Sequence, residues 1–200
     1  MVPTAQPSQT EMREKILTEA ENLFRHYGYA KTTMADIADA CNMSPANLYR
    51  FFASKSALVE GICRKITGEG ESRLLEIVNS GGSASRRLEK FIEQMHEYTL
   101  ENLLDHRKVH ELVVVAMEQN WDAVKEHLNR VCLHIERIIR EGIASGEFRE
   151  QDPVRAAKCV HASLICVCHP VIVAQKLEDE NRARPSEMAA LIVHSLKARV

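Results

Sequence analysis

Residues 33–58, TMADIADACNMSPANLYRFFASKSAL, hold three helix starts in quick succession, and their spacing decides the fold. Thr33 stands where an N-cap belongs, with Asp36 three residues on at the capping-box position. Ser44 caps the next segment, and Pro45 follows at the first helical position, where a missing N–H costs nothing. Ser54 caps a third segment whose apolar face is Leu58, Val59, Ile62, Cys63 and Ile66. The spacing predicts helices over about 33–41 and 45–52 joined by Asn42-Met43, which is a helix-turn-helix.

Working outward, the upstream stretch repeats the same helical period. Ile16, Leu17, Ala20, Leu23, Phe24 and Tyr27 form one stripe, and Gly28 stops it as a C′ residue. Residues 1–10, polar and Pro-containing, read as a disordered arm. Downstream, Gly81-Gly82-Ser83 marks a break, after which Leu88, Phe91, Ile92, Met95, Thr99 and Leu103 align. A shorter stripe is Val109, Leu112, Val113 and Ala116. A long one runs from Trp121 through Val124, Leu128, Val131, Ile135, Ile138 and Ile139 to Ser145-Gly146. Asp152-Pro153 opens another helix, in which Pro170 should make a kink. A last helix turns Met188, Leu191, Ile192, Ser195 and Leu196 inward. Gly and Pro number only 14 of 200 residues, and strand alternation is absent. The expected architecture is therefore all-α, with about nine helices. A helix-turn-helix module over 11–60 precedes a bundle over 61–200.

The second helix of the turn has the chemistry of a groove reader. Leu48 and Phe52 hold it to the module, which leaves Ser44, Ala46, Asn47 and Arg50 outside. Small residues let the backbone approach DNA, while Asn and Arg offer hydrogen bonds to base edges. Thr33, Ser44 and Ser54 stand at helix N-termini, where free N–H groups suit phosphate.

Over residues 13–58 the chain resembles the DNA-binding module of the TetR/AcrR transcriptional regulators. The residues that carry the resemblance are Ile16, Ala20, Phe24, Gly28, Thr33, Ile37, Ala38, Ser44, Leu48, Tyr49, Phe52, Lys55 and Leu58. A weaker signature, SGEFREQDPVRAA at 145–157, matches the family's usual entry to its penultimate helix. Asn42 replaces the glycine common before the recognition helix, and Asn tolerates the left-handed conformation. The resemblance implies that Thr33, Tyr49 and Lys55 grip phosphates. It places Ser44, Pro45, Ala46, Asn47 and Arg50 near bases and backbone. It further implies a homodimer formed through helices at about 153–176 and 186–198, a palindromic operator, and a small-molecule effector held in the bundle.

Residues to line such a cavity are Phe91, Met95, Tyr98, Met117, Trp121, Leu128, Cys132 and Ile135. His96, Glu118, Asn120 and His134 could orient a ligand. A stripe of this kind also reads as ordinary core, in which case the bundle only dimerises and the repressor is constitutive.

Bulk charge identifies no partner: 26 Lys+Arg face 28 Asp+Glu, a net of -2. Residues 25–55 carry four basic residues (Arg25, Lys31, Arg50, Lys55) against Asp36 and Asp39, so any positive footprint is local. DNA binding should then be modest per protomer and rely on dimerisation. The six cysteines (Cys41, Cys63, Cys132, Cys159, Cys166, Cys168) sit among apolar residues and no signal peptide is evident, which places the protein in a reducing cytoplasm. The longest apolar run, Cys159–Ala174, is too short to cross a membrane.

Within that run only Cys166 and His169 have helical ligand spacing, and His106, His110 and Glu111 form a second chelate pattern. Neither completes a metal site, so no cofactor is expected. A metal- or thiol-responsive regulator is the alternative reading. GxSxG, HExxH, P-loop and GxGxxG motifs are missing, which argues against an enzyme.

Overall fold

A computed structural model of the chain describes residues 8–101, 112, 114, 115 and 122–197. Ten helices are present among the described residues: α1 (Gln9–Tyr27), α2 (Met34–Ala40), α3 (Pro45–Phe51), α4 (Lys55–Asn79), α5 (Ala84–Thr99), α6 (Asp122–Ala144), α7 (Pro153–Ser163), α8 (Ile165–Cys168), α9 (Pro170–Gln175) and α10 (Pro185–Leu196). The only β pairing among them is a single bridge between Phe148 and Lys197. The chain divides into two compact units, residues 1–65 with 106–121 and residues 66–105 with 122–200.

In the first unit the start signals work as local chemistry dictates. Thr33 Oγ1 accepts from the Asp36 amide at 3.2 Å, and the Asp36 carboxylate accepts from the Thr33 amide at 2.8 Å. Ser44 Oγ accepts from the Asn47 amide, and Ser54 Oγ from the Ala57 amide. Ile16, Ala20, Phe24, Ile37, Ala38, Leu48, Leu58 and Val59 are wholly buried and form the core. Two expectations change here. The arm does not reach residue 10, because Ser8 caps α1 with a full capping box and Gln9 and Thr10 are helical. Tyr27, the last member of the α1 stripe, lies 54% exposed one turn beyond the packed residues.

The second unit is organised by a corner at residues 145–148. Gly146 takes φ 75°, which turns the chain back after α6. Glu147 then accepts from the free amides of Ala84 (2.7 Å) and Ser85 (3.0 Å), capping α5 from the far end of the unit. Phe148 lies against Gly142 so closely that a Cβ there would sit 2.2 Å from its ring. Arg87, buried, donates to the Val78 carbonyl and pairs with Glu141 at 2.6 Å. Leu88, Phe91, Ile92, Ile135, Ile138 and Ile139 fill the interior between α5 and α6.

Three more expectations are corrected in this unit. The penultimate segment is not one helix kinked once. It is broken at Leu164 and again at His169, which is extended (φ -79°, ψ 118°) as residues before proline tend to be. On α10 the buried face is Ala189, Ile192, Val193 and Leu196, while Leu191 is 64% exposed. That helix is apolar on most sides, so periodicity could not select its inward face. Finally, Cys159 and Cys166 are exposed rather than packed inside the unit as small hydrophobes.

Candidate nucleic-acid interface

α2 and α3 meet at a corner made by Asn42, whose φ of 57° lies in the left-handed region. The amide of Met43 donates back to Ala38 O at 2.9 Å and that of Asn42 to Asp39 O at 3.0 Å, which closes the end of α2. α3 then buries Leu48 completely and leaves Ser44, Pro45, Ala46, Tyr49 and Arg50 exposed, with Asn47 half-buried. The side chains of Asn47, Tyr49 and Arg50 form no hydrogen bond among the described residues. One short helix thus offers an amide, a phenol and a guanidinium on its outer side.

Long-range contacts fix this helix in place. Arg13 on α1 donates to Phe51 O at 2.6 Å, satisfying a C-terminal carbonyl of α3, and stacks 4.3 Å over the Phe52 ring. Lys15 reaches Cys41 O at 3.5 Å. The sequence reading missed Arg13: nothing local to α1 marks it, because its partner is 38 residues away.

The eight residues singled out in the sequence are brought to one module, but they do not share one role. Tyr49, half-exposed at 51%, presents its hydroxyl outward. The Thr33 hydroxyl is exposed yet already engaged, donating to Asp36 Oδ2 at 2.7 Å. Lys55 is committed inward: its ammonium donates to Tyr29 O (2.7 Å) and Thr32 O (3.0 Å) and sits 4.2 Å from the centre of the Tyr29 ring. Burial pulls its pKa below the ordinary lysine value. Lys55 therefore acts as a brace for the loop before α2 in this structure. A hollow of about 360 Å³ nearby is lined by Leu23, Tyr27, Lys31, Thr32, Asp36 and Asp39, and its two carboxylates make it a poor phosphate cradle.

In the second unit the described residues expected to line a cavity differ in their surroundings. Phe91 and Ile135 are sealed in the core. Met95 and Cys132 pack on its edge. The Tyr98 hydroxyl donates to Ile66 O on α4, where Gly70 makes room for its ring. Leu128 is 43% exposed. His96 Nδ1 contacts Val167 O, and His134 pairs with Glu71. Met117, Trp121, Glu118 and Asn120 lie outside the described residues, as do Leu103, Val109, Val113, Ala116, His106, His110 and Glu111.

The pocket that stands out in this unit, of about 520 Å³, is elsewhere. It runs along α7 and α10 and includes Ala156, Cys159, Val160, Met188, Leu191 and Ile192. Among the described residues no three His, Cys, Asp or Glu side chains are grouped to hold a metal ion. Burial pushes the Cys168 thiol up to about 12 and the Cys63 thiol to about 11, so neither supplies a thiolate at neutral pH. No described helix is long and apolar enough to cross a membrane.

Comparison with known proteins supplies the context. Residues 16–62 match the family described as bacterial regulatory proteins, tetR family, and residues 84–189 match the tetracyclin repressor-like C-terminal domain. An uncharacterized HTH-type transcriptional regulator of Bacillus subtilis, YhgD, is 27% identical over 151 residues, spanning 72% of this chain and 75% of that one. The HTH-type transcriptional repressor KstR2 of Mycolicibacterium smegmatis is 26% identical over 157 residues, 74% of this chain and 73% of that one. Among solved structures, a TetR/AcrR-family regulator from Thermobifida fusca superposes with a TM-score of 0.68 at 24% identity. It covers 91% of this chain and 94% of its own. SmeT, the repressor of a Stenotrophomonas maltophilia multidrug efflux pump, gives a TM-score of 0.68 at 21% identity over 93% and 90% of the two chains.

Proposed function

Because the chain belongs to the TetR family of transcriptional regulators, we propose that it works as a homodimeric repressor on a two-fold symmetric operator in the cytoplasm, released by a small-molecule effector. The observation that carries the DNA half is the outer face of α3, where Asn47, Tyr49 and Arg50 have no partner among the described residues while Leu48 anchors the helix. Asn47 and Arg50 read base edges, and Tyr49 and the α2 and α3 starts at Thr33 and Ser44 meet phosphates. Pro45 and Ala46 keep the tip slim enough for close approach. Lys55 contributes by holding the Tyr29–Thr32 loop, which sets where Thr33 stands.

Dimerisation through α7–α10 is supported by the apolar side chains this segment leaves in water: Val154 at 41%, Ile165 at 52% and Leu191 at 64% exposure. A two-fold dimer places its recognition helices about 34–36 Å apart, one helical turn of DNA, and so reads two half-sites. Repression, rather than activation, follows the character of relatives such as KstR2.

An effector acts through α4, which runs unbroken from the first unit into the second. A ligand that weakens DNA binding tenfold must itself bind the DNA complex tenfold more weakly, a coupling of about 1.4 kcal/mol.

The test is fluorescence anisotropy on an operator selected from random duplexes, with and without compounds that raise the thermal midpoint. Tight, salt-dependent binding of one dimer per palindrome, relieved by such a compound, is the expected result. Equal affinity for random duplexes would refute sequence reading. Saturating, stabilising compounds that all leave affinity unchanged would make it a constitutive repressor.

A further inference from the structure

The second unit holds a cluster of imidazoles on α6 and α7 that DNA binding does not use. Glu71 on α4 reaches into the bundle with its side chain only 15% exposed. One of its carboxylate oxygens accepts from Arg130 Nε, and the other faces His134 Nε2 at 3.4 Å, both on α6. His127, two turns before His134 on the same helix, has a buried Nδ1 with no hydrogen-bond partner among the described residues. His161, on α7, completes the set and acts on His127 across the gap between the two helices.

The charge arithmetic is lopsided. The groups that act on His127 are Glu71 from α4, Arg130 and His134 from α6, and His161 from α7. From α5 the cluster meets the Phe91 ring, set edge-on 6.4 Å from the His134 ring. Among the described residues, the one carboxylate that acts on His127 already serves Arg130 and His134, so a proton on His127 adds positive charge beside a guanidinium. A buried imidazolium without a partner is costly, and the fold can relieve it only by letting water in.

We propose that His127 and His161, with Arg130 and Glu71 acting on His127, form an acid-sensitive latch in the packing of α4, α6 and α7 that is closed at neutral pH and loosens on acidification.

The sign follows from burial, which comes first, and then from Arg130. Together they lower the His127 pKa to about 4 from an ordinary 6.5, and burial lowers that of His161 as well. The folded state thus binds fewer protons than the unfolded chain, and stability falls as pH drops from 6.5 toward 4. At pH 5 the His127 contribution alone lowers the folding equilibrium constant about thirtyfold relative to about pH 7.5. The depressed carboxylates Glu11, Asp36, Glu141 and Glu147 begin to lose their contribution as pH falls through the ordinary values of 3.8 to 4.5, so they leave the window above pH 5 largely to the histidines.

Urea unfolding of the full chain at pH 7.5, 6.5, 5.5 and 5.0 tests this, in the wild type, His127→Leu and His161→Gln, with the exposed His194→Gln as a control. The expected result is a steep loss in the wild type and in His194→Gln. The loss should be about thirtyfold smaller in His127→Leu and partly reduced in His161→Gln. The same pH slope in the wild type and His127→Leu would overturn the proposal. Should His127→Leu fail to fold, NMR titration of the wild-type imidazoles decides alone. A His127 midpoint well below the ordinary value supports the latch, and one at or above it refutes the latch.

Discussion

The corner between α2 and α3 and the corner between α7 and α9 both bend a helical segment, by opposite means. At the first, Thr33 and Ser44 cap each helix with side-chain oxygens and Asn42 absorbs the left-handed turn. At the second, neither Leu164 nor His169 gives a side-chain cap, and Pro170 makes the break by removing a donor. The first corner turns polar side chains outward. The second leaves Ile165 and Cys166 in water while burying Leu164 and Val167. A capped corner is stable when solvated and suits a wet, charged partner such as DNA. An uncapped apolar corner gains by being covered, which suits a second copy.

The largest expected effect separates two leucines beside the second corner. Leu164, 1% exposed, belongs to its own protomer's core, so Leu164→Glu should cost about 3–5 kcal/mol by burying an unpaired carboxylate, seen as a collapsed thermal midpoint. Leu191→Glu changes an exposed residue on the same surface. It should keep the helical circular dichroism while light scattering falls from twice 22.6 kDa to the monomer value. A Leu191→Glu protein that stayed dimeric at micromolar concentration would break the comparison.

Next comes the brace of the first unit. Lys55→Met strips two carbonyls of their donor and should lower stability by about 1.5–3 kcal/mol, with the slope of DNA affinity against salt unchanged. A slope reduced by about one would return Lys55 to the phosphate. Arg50→Ala should do the converse. The thermal midpoint should hold, while affinity for the best operator drops by about 1–3 kcal/mol and preference among sites relaxes. The smallest effect is at the turn itself: Asn42→Ala should cost about 1 kcal/mol, measured by urea unfolding, because alanine lacks asparagine's tolerance of the left-handed region.

The helix-turn-helix was legible because each of its signals is local. Thr33 with Asp36, Ser44 with Pro45, and the stripe through Ile16, Ala20 and Phe24 all act within one or two turns, and the structure keeps them. Which side of its helix each bundle residue occupies was not legible. Phe91, Ile135 and Leu128 have the same period and nearly the same hydropathy, yet two are sealed and one faces water. Arg13, Lys55 and Glu147 show the same limit for polar groups, since their partners lie 38, 26 and 63 residues away in sequence.

What the sequence determined by itself is the helix-turn-helix, with its starts at Thr33, Ser44 and Ser54, and the residue types on the outer side of α3. Those follow from interactions spanning three or four residues, whose geometry the backbone supplies. What only the tertiary structure decided is which face of α10 is inward, that Lys55 braces a loop, and that Arg130 and His134 meet Glu71. These depend on where separate helices are brought together, and on burial, which no local pattern encodes.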